Sequence, residues 1–239
     1  MRVLGVIPAR GGSKGLPGKN IKPLAGRPLL AHSIACAGLT KRLTRTIVTS
    51  DDEPILRVAK ACGGDVPFVR PAELARDDTP MMPVLQHAMQ TVERLESSTY
   101  DALALLDPTS PGRLPEEIDR AVEMLEREPT ADGVVAVSEP LFNPLWVGVF
   151  VRDGTLLPAF EHESSFARRQ DVPRFFRING AFYLWRRDFL LGAGPDWVKR
   201  GKHLPLEMAE ERAFSIDTAF EFQVAELLVK NGLISLPWV

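Results

Sequence analysis

The run Val3-Leu4-Gly5-Val6-Ile7-Pro8, continued by Ala9-Arg10-Gly11-Gly12-Ser13-Lys14-Gly15-Leu16-Pro17-Gly18-Lys19-Asn20, decides how the rest of the chain is read. Its first five residues carry no polar side chain. That is the pattern of a strand covered on both faces, whereas a half-exposed strand would alternate. Four glycines then let backbone N–H groups curl round an anion, and Arg10, Lys14 and Lys19 add positive charge to the same loop. A polyphosphate suits that combination, with Gly11, Gly12 and Ser13 supplying main-chain donors. A Walker A loop is excluded: counting back from Gly18-Lys19, its first glycine would fall on Ser13, and Asn20 stands where Ser or Thr is required. A dinucleotide fingerprint is excluded as well, because Pro17 and Pro23 prevent a helix from opening directly behind the glycines.

Further apolar runs follow at Thr46 to Thr49, Ala102 to Leu106 and Val134 to Val137, with helix signals between them. Asp51 or Asp52 can cap a helix that holds Pro54 in its first turn and closes at Gly63-Gly64. Pro115-Glu116-Glu117 opens another, with Ile118, Val122 and Leu125 on one face. A last helix is predicted from Asp217, carrying Phe220, Val224, Leu227 and Leu228 and ending at Asn231-Gly232. Strands alternating with helices predict a three-layer, Rossmann-like α/β fold, its sheet mostly parallel with right-handed crossovers. Ligands of such sheets bind beyond the carboxyl ends of the strands. The loops that matter therefore follow Ile7, Ser50, Val69, Leu106 and a strand expected to end near Ile216.

The 239 residues suit one domain, 1–239, and are 45% hydrophobic and 25% charged. Twenty-nine basic against 31 acidic residues give a net charge of −2, without the dense cationic footprint that nucleic acid or a membrane surface would need. Cys36 and Cys62 form no metal or redox motif. The N-terminal apolar run is too short for a signal peptide, and a cytoplasmic protein is expected. The alternation breaks in 139–177, where Pro140, Pro144, Pro158 and Pro173, the turn signal Asp153-Gly154 and an aromatic strand around Trp146 to Val151 predict a β-rich insertion. Its apolar groups are expected at a subunit contact, since exposed apolar patches mark interfaces.

The opening loop resembles the phosphate-binding signature of the acylneuraminate cytidylyltransferase family, with CMP-Kdo synthetases as more distant relatives. The likeness recurs at Ser50-Asp51, Arg70-Pro71-Ala72-Glu73-Leu74, Pro108-Thr109-Ser110-Pro111, Arg177-Ile178-Asn179-Gly180-Ala181-Phe182-Tyr183 and Ile216-Asp217-Thr218. The resemblance implies that Arg10, Ser13, Lys14 and Lys19 hold the CTP phosphates. Arg10, Lys19 and Asp217 would then serve the chemistry, and Arg70 would lie beside the cytosine. Asp217 would bind Mg²⁺, which takes one or two carboxylates plus phosphate oxygens; a helix N-cap is its other reading. Arg169, Arg177 and Asn179 match family positions near the sugar acid, while Arg168 and Arg174 read as surface arginines paired with Glu161, Glu163 or Asp171.

The chain departs from the family pattern at three places. Ser215 replaces the first of two aspartates spaced two residues apart, Asp107 replaces a glutamine, and Gly112 replaces a leucine. Asp107 could bind metal or face a hydroxyl or amino group of the acceptor. His32, His87, His162 and His203 are scattered and support no triad. The expected activity is transfer of CMP from CTP to a 2-keto-3-deoxy sugar acid with Mg²⁺, by a homodimer whose insertion reaches the neighbour's cleft. Two alternatives stay open at this point: another acceptor (an octulosonate, a phosphonate or a sugar phosphate), or nucleotide binding without turnover.

Overall fold

Residues Val3–Pro8 form strand β1, buried along its whole length, in a computed structural model that describes residues 1–160, 166 and 168–239. Its side chains alternate between two apolar layers, Val3 and Ile7 on one face and Leu4 and Val6 on the other. The glycine loop follows, ending in a single 3-10 turn at Lys19–Ile21 and a short ribbon of β2 (Pro23–Leu24) and β3 (Arg27–Pro28). Helix α1 (Leu29–Leu39) returns the chain to β4 (Arg45–Thr49). Helix α2 (Glu53–Ala61) begins as expected, with the Asp52 carboxylate accepting from the Ile55 amide and Pro54 in the first turn. Helix α3 (Met81–Glu96) leads to β5 (Ala102–Leu105), and α4 (Pro115–Arg127) to β6 (Gly133–Ser138).

The insertion contains one turn of helix, α5 (Pro144–Val147), and a hairpin of β7 (Val149–Arg152) and β8 (Thr155–Pro158). Trp146 lies in that turn rather than in a strand: Asn143 caps it through the Leu145 amide, and Pro144 fixes its first residue. All eight hairpin residues are exposed. The chain then runs through β9 (Arg177–Arg186), α6 (Arg187–Gly192), α7 (Trp197–Arg200), β10 (His203–Glu207) and α8 (Ala219–Lys230). His162, Glu161 and Glu163 lie outside the described residues. No described helix is long and apolar enough to cross a membrane.

The main sheet has the order β10-β6-β9-β5-β1-β4. Every neighbouring pair is parallel except those made by β9, which runs against β5 and β6. Helices α1, α2 and α4 cover one face and α3 with α6 the other, giving the expected three layers. Two expected strands are absent. The segment before Arg70 makes one isolated bridge, Ile47 to Asp65, because Pro67 and Pro71 remove ladder donors on both sides. Residues 213–217 form no strand either; the Ile216 amide donates to the Thr109 carbonyl instead, at 2.8 Å. Gly112 explains that close approach: a Cβ there would run into the Arg212 carbonyl.

Candidate active site

The loop after β1 is held by its own glycines and one apolar anchor. Leu16 packs with Ile216, Leu24, Leu29 and Phe222, and a Cβ on Gly15 would collide with the Asp217 carbonyl. The loop thus lies directly against the segment that enters α8. Asn20 is buried and donates to the Arg10 carbonyl at 3.1 Å, closing the loop on itself. Arg10, Ser13, Lys14, Gly15 and Lys19 line a cleft of about 430 Å³ together with Arg70, Asp107, Thr109, Ser110, Gly180, Ser215 and Asp217. The cleft lies beyond the carboxyl ends of β1 and β5, where open α/β sheets bind ligands. Gly11 and Gly12 are not among its lining residues. Gly11 packs so closely on α2 that a Cβ would sit 2.5 Å from the Asp52 carboxylate, whereas a Cβ on Gly12 would meet open space.

The cations of the loop are already matched by carboxylates. Lys19 Nζ donates to Asp217 Oδ1 at 2.7 Å, Arg10 Nη1 to Asp77 Oδ1 at 2.7 Å, and Lys14 Nζ lies 2.6 Å from Asp77 Oδ2. Lys14 and Arg10 together hold the Asp77 carboxyl below the ordinary carboxylate range. Nothing in the sequence marks Asp77, an aspartate in a polar loop like its neighbour Asp78. Asp217 is not the helix cap: Thr218 takes that place, accepting from the Glu221 amide while Glu221 accepts from Thr218 N. Asp217 is thereby left to face the cleft, and the Ser215 hydroxyl bridges its Oδ2 at 3.0 Å to Thr109 Oγ1 at 3.3 Å.

Arg70 is 4% exposed, yet its Nε and Nη2 have no hydrogen-bond partner among the described residues. The nearest carboxylate oxygen, Asp51 Oδ1, is 3.7 Å away. Burial pushes the guanidinium pKa down, but arginine keeps its charge at neutral pH. Buried donors left unmatched at a cleft wall are unusual and are placed to meet an acceptor oxygen.

Asp107 sits at the far end, where the cleft meets an aromatic cavity of about 480 Å³. Its Oδ1 accepts from Thr109 N at 3.0 Å and Thr109 Oγ1 at 2.9 Å. Tyr183 and Trp185 stack with ring centroids 5.1 Å apart, and Trp197 meets Trp185 edge-on at 5.2 Å. Burial, with the Asp107 charge added, pushes the Tyr183 hydroxyl up to about 12. This aromatic wall was not singled out from the sequence. Its signal was the spacing of Tyr183 and Trp185, two apart on one strand and so on one face.

The other residues expected near an acceptor are not among those that line the two described cavities. Arg177 is taken up by Glu210 Oε1 at 2.9 and 3.1 Å and by the Ala213 carbonyl at 3.0 Å, and it does not line the cleft. Arg169 donates to the Leu141 carbonyl within the exposed insertion. Asn179 is buried and its Oδ1 accepts from the Ala181 amide, leaving Nδ2 without a partner among the described residues. Arg168 pairs with Asp171, and Arg174 with Glu139 and Glu207, as surface arginines do. No described group of three or more His, Cys, Asp or Glu side chains is gathered for a metal.

Residues 4–192 match the family described as cytidylyltransferase. A CMP-N,N'-diacetyllegionaminic acid synthase of Legionella pneumophila is 32% identical over 232 residues, covering 96% of this chain and 97% of its own length. A pseudaminic acid cytidylyltransferase of Campylobacter jejuni is 27% identical over 230 residues, covering 96% and 97%. Among solved structures, a CMP:2-keto-3-deoxy-manno-octonic acid synthetase complexed with CTP superposes with a TM-score of 0.73 at 20% identity, over 97% of this chain and 100% of that one. At that identity the match speaks for the fold.

Proposed function

The chain belongs to the cytidylyltransferase family, and from that membership we propose that it transfers CMP from CTP to a 2-keto-3-deoxy sugar acid of the nonulosonic type. The observation that carries this reading is a pair of adjoining cavities, one lined by the cationic glycine loop and the other by aromatic rings, with Asp107 and Gly180 in the walls of both. An acceptor hydroxyl oxygen forms a bond to the α-phosphorus of CTP and gives up its proton to solvent, the bond to the β-phosphate oxygen breaks, and pyrophosphate leaves with the negative charge. Arg10, Lys14 and Lys19 stabilise that charge where it develops, which is electrostatic work needing no proton transfer from them. The buried donors of Arg70 suit the cytosine carbonyl.

Mg²⁺ fits the donor set, which is oxygen only: the Asp217 carboxylate faces the cleft, the Ser215 hydroxyl stands in place of a second carboxylate, and Asp107 is the other acid of the cleft. Asp217 would hold it, and the ion would neutralise phosphate charge. Among the described residues, no lysine or arginine lines the aromatic chamber. That disfavours a phosphorylated or phosphonate acceptor and suits an uncharged, partly apolar sugar tail, with the acid end turned toward the loop. We place the reaction in the cytoplasm and read 1–239 as one nucleotidyltransferase domain. In the same reading residues 139–177 pair two copies of the chain.

The test is pyrophosphate release from each of the four nucleoside triphosphates with Mg²⁺ and a panel of sugar acids. Release with CTP and a nonulosonic acid is expected. Release only with GTP or UTP would overturn the nucleotide assignment, consumption of a phosphorylated acceptor alone would overturn the sugar acid, and CTP binding without turnover would make the chain a binding protein.

A further inference from the structure

Arg113 is 1% exposed, and no carboxylate pairs with it among the described residues. The carbonyl oxygens of Asp107, Ser110 and Ala181 each lie 2.9 Å from its Nη1 and share that nitrogen's two hydrogens, while Nη2 donates to the Ser33 hydroxyl. Its Nε has no hydrogen-bond partner among the described residues. Burying a guanidinium is costly, and an apolar side chain of similar volume often stabilises a core as well or better. What only the arginine supplies here is a rigid fork that collects several carbonyls at once.

Those carbonyls belong to the walls of the cleft. Asp107 and Ser110 line it, and Ala181 follows Gly180, which lines both cleft and chamber. Between them the Thr109 carbonyl accepts the Ile216 amide, one residue before Asp217, and Thr109 also holds the Asp107 carboxylate. One side chain therefore ties the loop 107–110 to β9 and α1, and through that loop to the segment carrying Asp217. We propose that Arg113 is a positioning residue for nucleotidyl transfer, fixing Asp107 and the Asp217 segment from beneath before substrates bind. The proposal rests on reading the cleft as a nucleotidyl-transfer site.

Arg113→Lys keeps the charge and loses the fork, and Arg113→Met keeps bulk and loses both. In Arg113→Lys, CTP affinity should stay within about threefold of the original, because the loop bearing Arg10, Lys14 and Lys19 is untouched. Its kcat for acceptor-dependent pyrophosphate release should fall about 100-fold, the scale of an ångström-sized misplacement. Amide hydrogen exchange should accelerate in 107–112 and 215–217 of both variants while β1 and β4 keep their protection. An unchanged kcat in Arg113→Lys, or exchange rising evenly across the sheet, would overturn the proposal and leave a residue that only stabilises the fold. CTP affinity lost in Arg113→Met but kept in Arg113→Lys, with normal kcat in the latter, would overturn it in favour of a role for charge alone. If the unaltered protein releases no pyrophosphate with any acceptor, the functional reading fails, and the exchange pattern still decides whether Arg113 fixes the cleft.

Discussion

Lys19 and Asp217 stand 198 positions apart in the chain and meet across the cleft, Nζ to Oδ1 at 2.7 Å. Burial opposes the charged form of Asp217, but the hydrogen bond and charge of Lys19 outweigh it, so the carboxyl stays below its ordinary range. With triphosphate and cation present, the same two groups would turn to opposite charges: Lys19 to phosphate oxygens, Asp217 to the metal.

The two substitutions should therefore separate. Lys19→Ala should lower kcat by about 10²–10³-fold, with a smaller effect on KM for CTP, if its charge is felt most as negative charge moves onto pyrophosphate. A raised KM with kcat unchanged would assign Lys19 to ground-state binding. Asp217→Asn should weaken the response of activity and of CTP binding to Mg²⁺, read by titrating the cation. An unaltered Mg²⁺ dependence would leave Asp217 as a partner of Lys19 only.

Asp77 occupies Arg10 and Lys14, two of the cations expected to hold phosphate. A triphosphate held by those two cations would have to displace that carboxylate. Asp77→Asn should tighten CTP binding by roughly two- to fivefold at low salt, the scale of removing one exposed competing ion pair, and the gain should shrink as salt rises. Weaker binding in this variant, by calorimetry, would show Asp77 to be part of the nucleotide site.

His32 is fully buried, with Nδ1 accepting from Trp238 Nε1 at 3.0 Å and Nε2 lying 2.9 Å from the Leu24 carbonyl. That network is satisfied by the neutral ring with its hydrogen on Nε2. Burial lowers its pKa from 6.5, so the unfolded chain binds this proton more readily than the folded one. The stability it contributes is whole above pH 6.5 and is lost as pH falls below it. Thermal unfolding should show a lower midpoint at pH 5 than at pH 7.5, with a smaller difference in His32→Gln. Trp238→Phe should cost about 1 kcal/mol. An identical pH slope in His32→Gln would remove His32 as the cause.

The insertion leaves Phe142, Phe150, Val151 and Leu156 exposed, Phe142 by 76% and Val151 by 73%. Covering such groups contributes about 1.5–3 kcal/mol each, and a two-fold dimer is the commonest way to do it. Light scattering at micromolar concentration should give twice the 26.4 kDa chain mass, and Phe142→Asp with Phe150→Asp should give the monomer. Mixing Arg169→Ala and Lys19→Ala subunits should restore part of the activity if Arg169 serves the neighbouring cleft. A monomeric parent protein would sink the assembly, and a dimer without complementation would sink the shared site.

The sequence by itself determined what is local. An unbroken apolar run makes β1 a buried strand whatever surrounds it, Asp52 with Pro54 starts α2 through contacts three residues long, and Arg10, Lys14 and Lys19 share one loop because the chain puts them there. Tertiary structure decided everything that depends on who stands opposite. The apolar pattern of β9 reads alike in either direction, so its antiparallel placement came from its neighbours. Nothing local to Arg177 announces that Glu210, 33 residues on, holds its guanidinium. Asp77 and Arg113 acquired their places from partners 67 and 68 positions away. A charge or a fork advertises its chemistry in the sequence, but an ion pair or a set of carbonyls falls off within a few ångströms, and only the folded chain sets those distances.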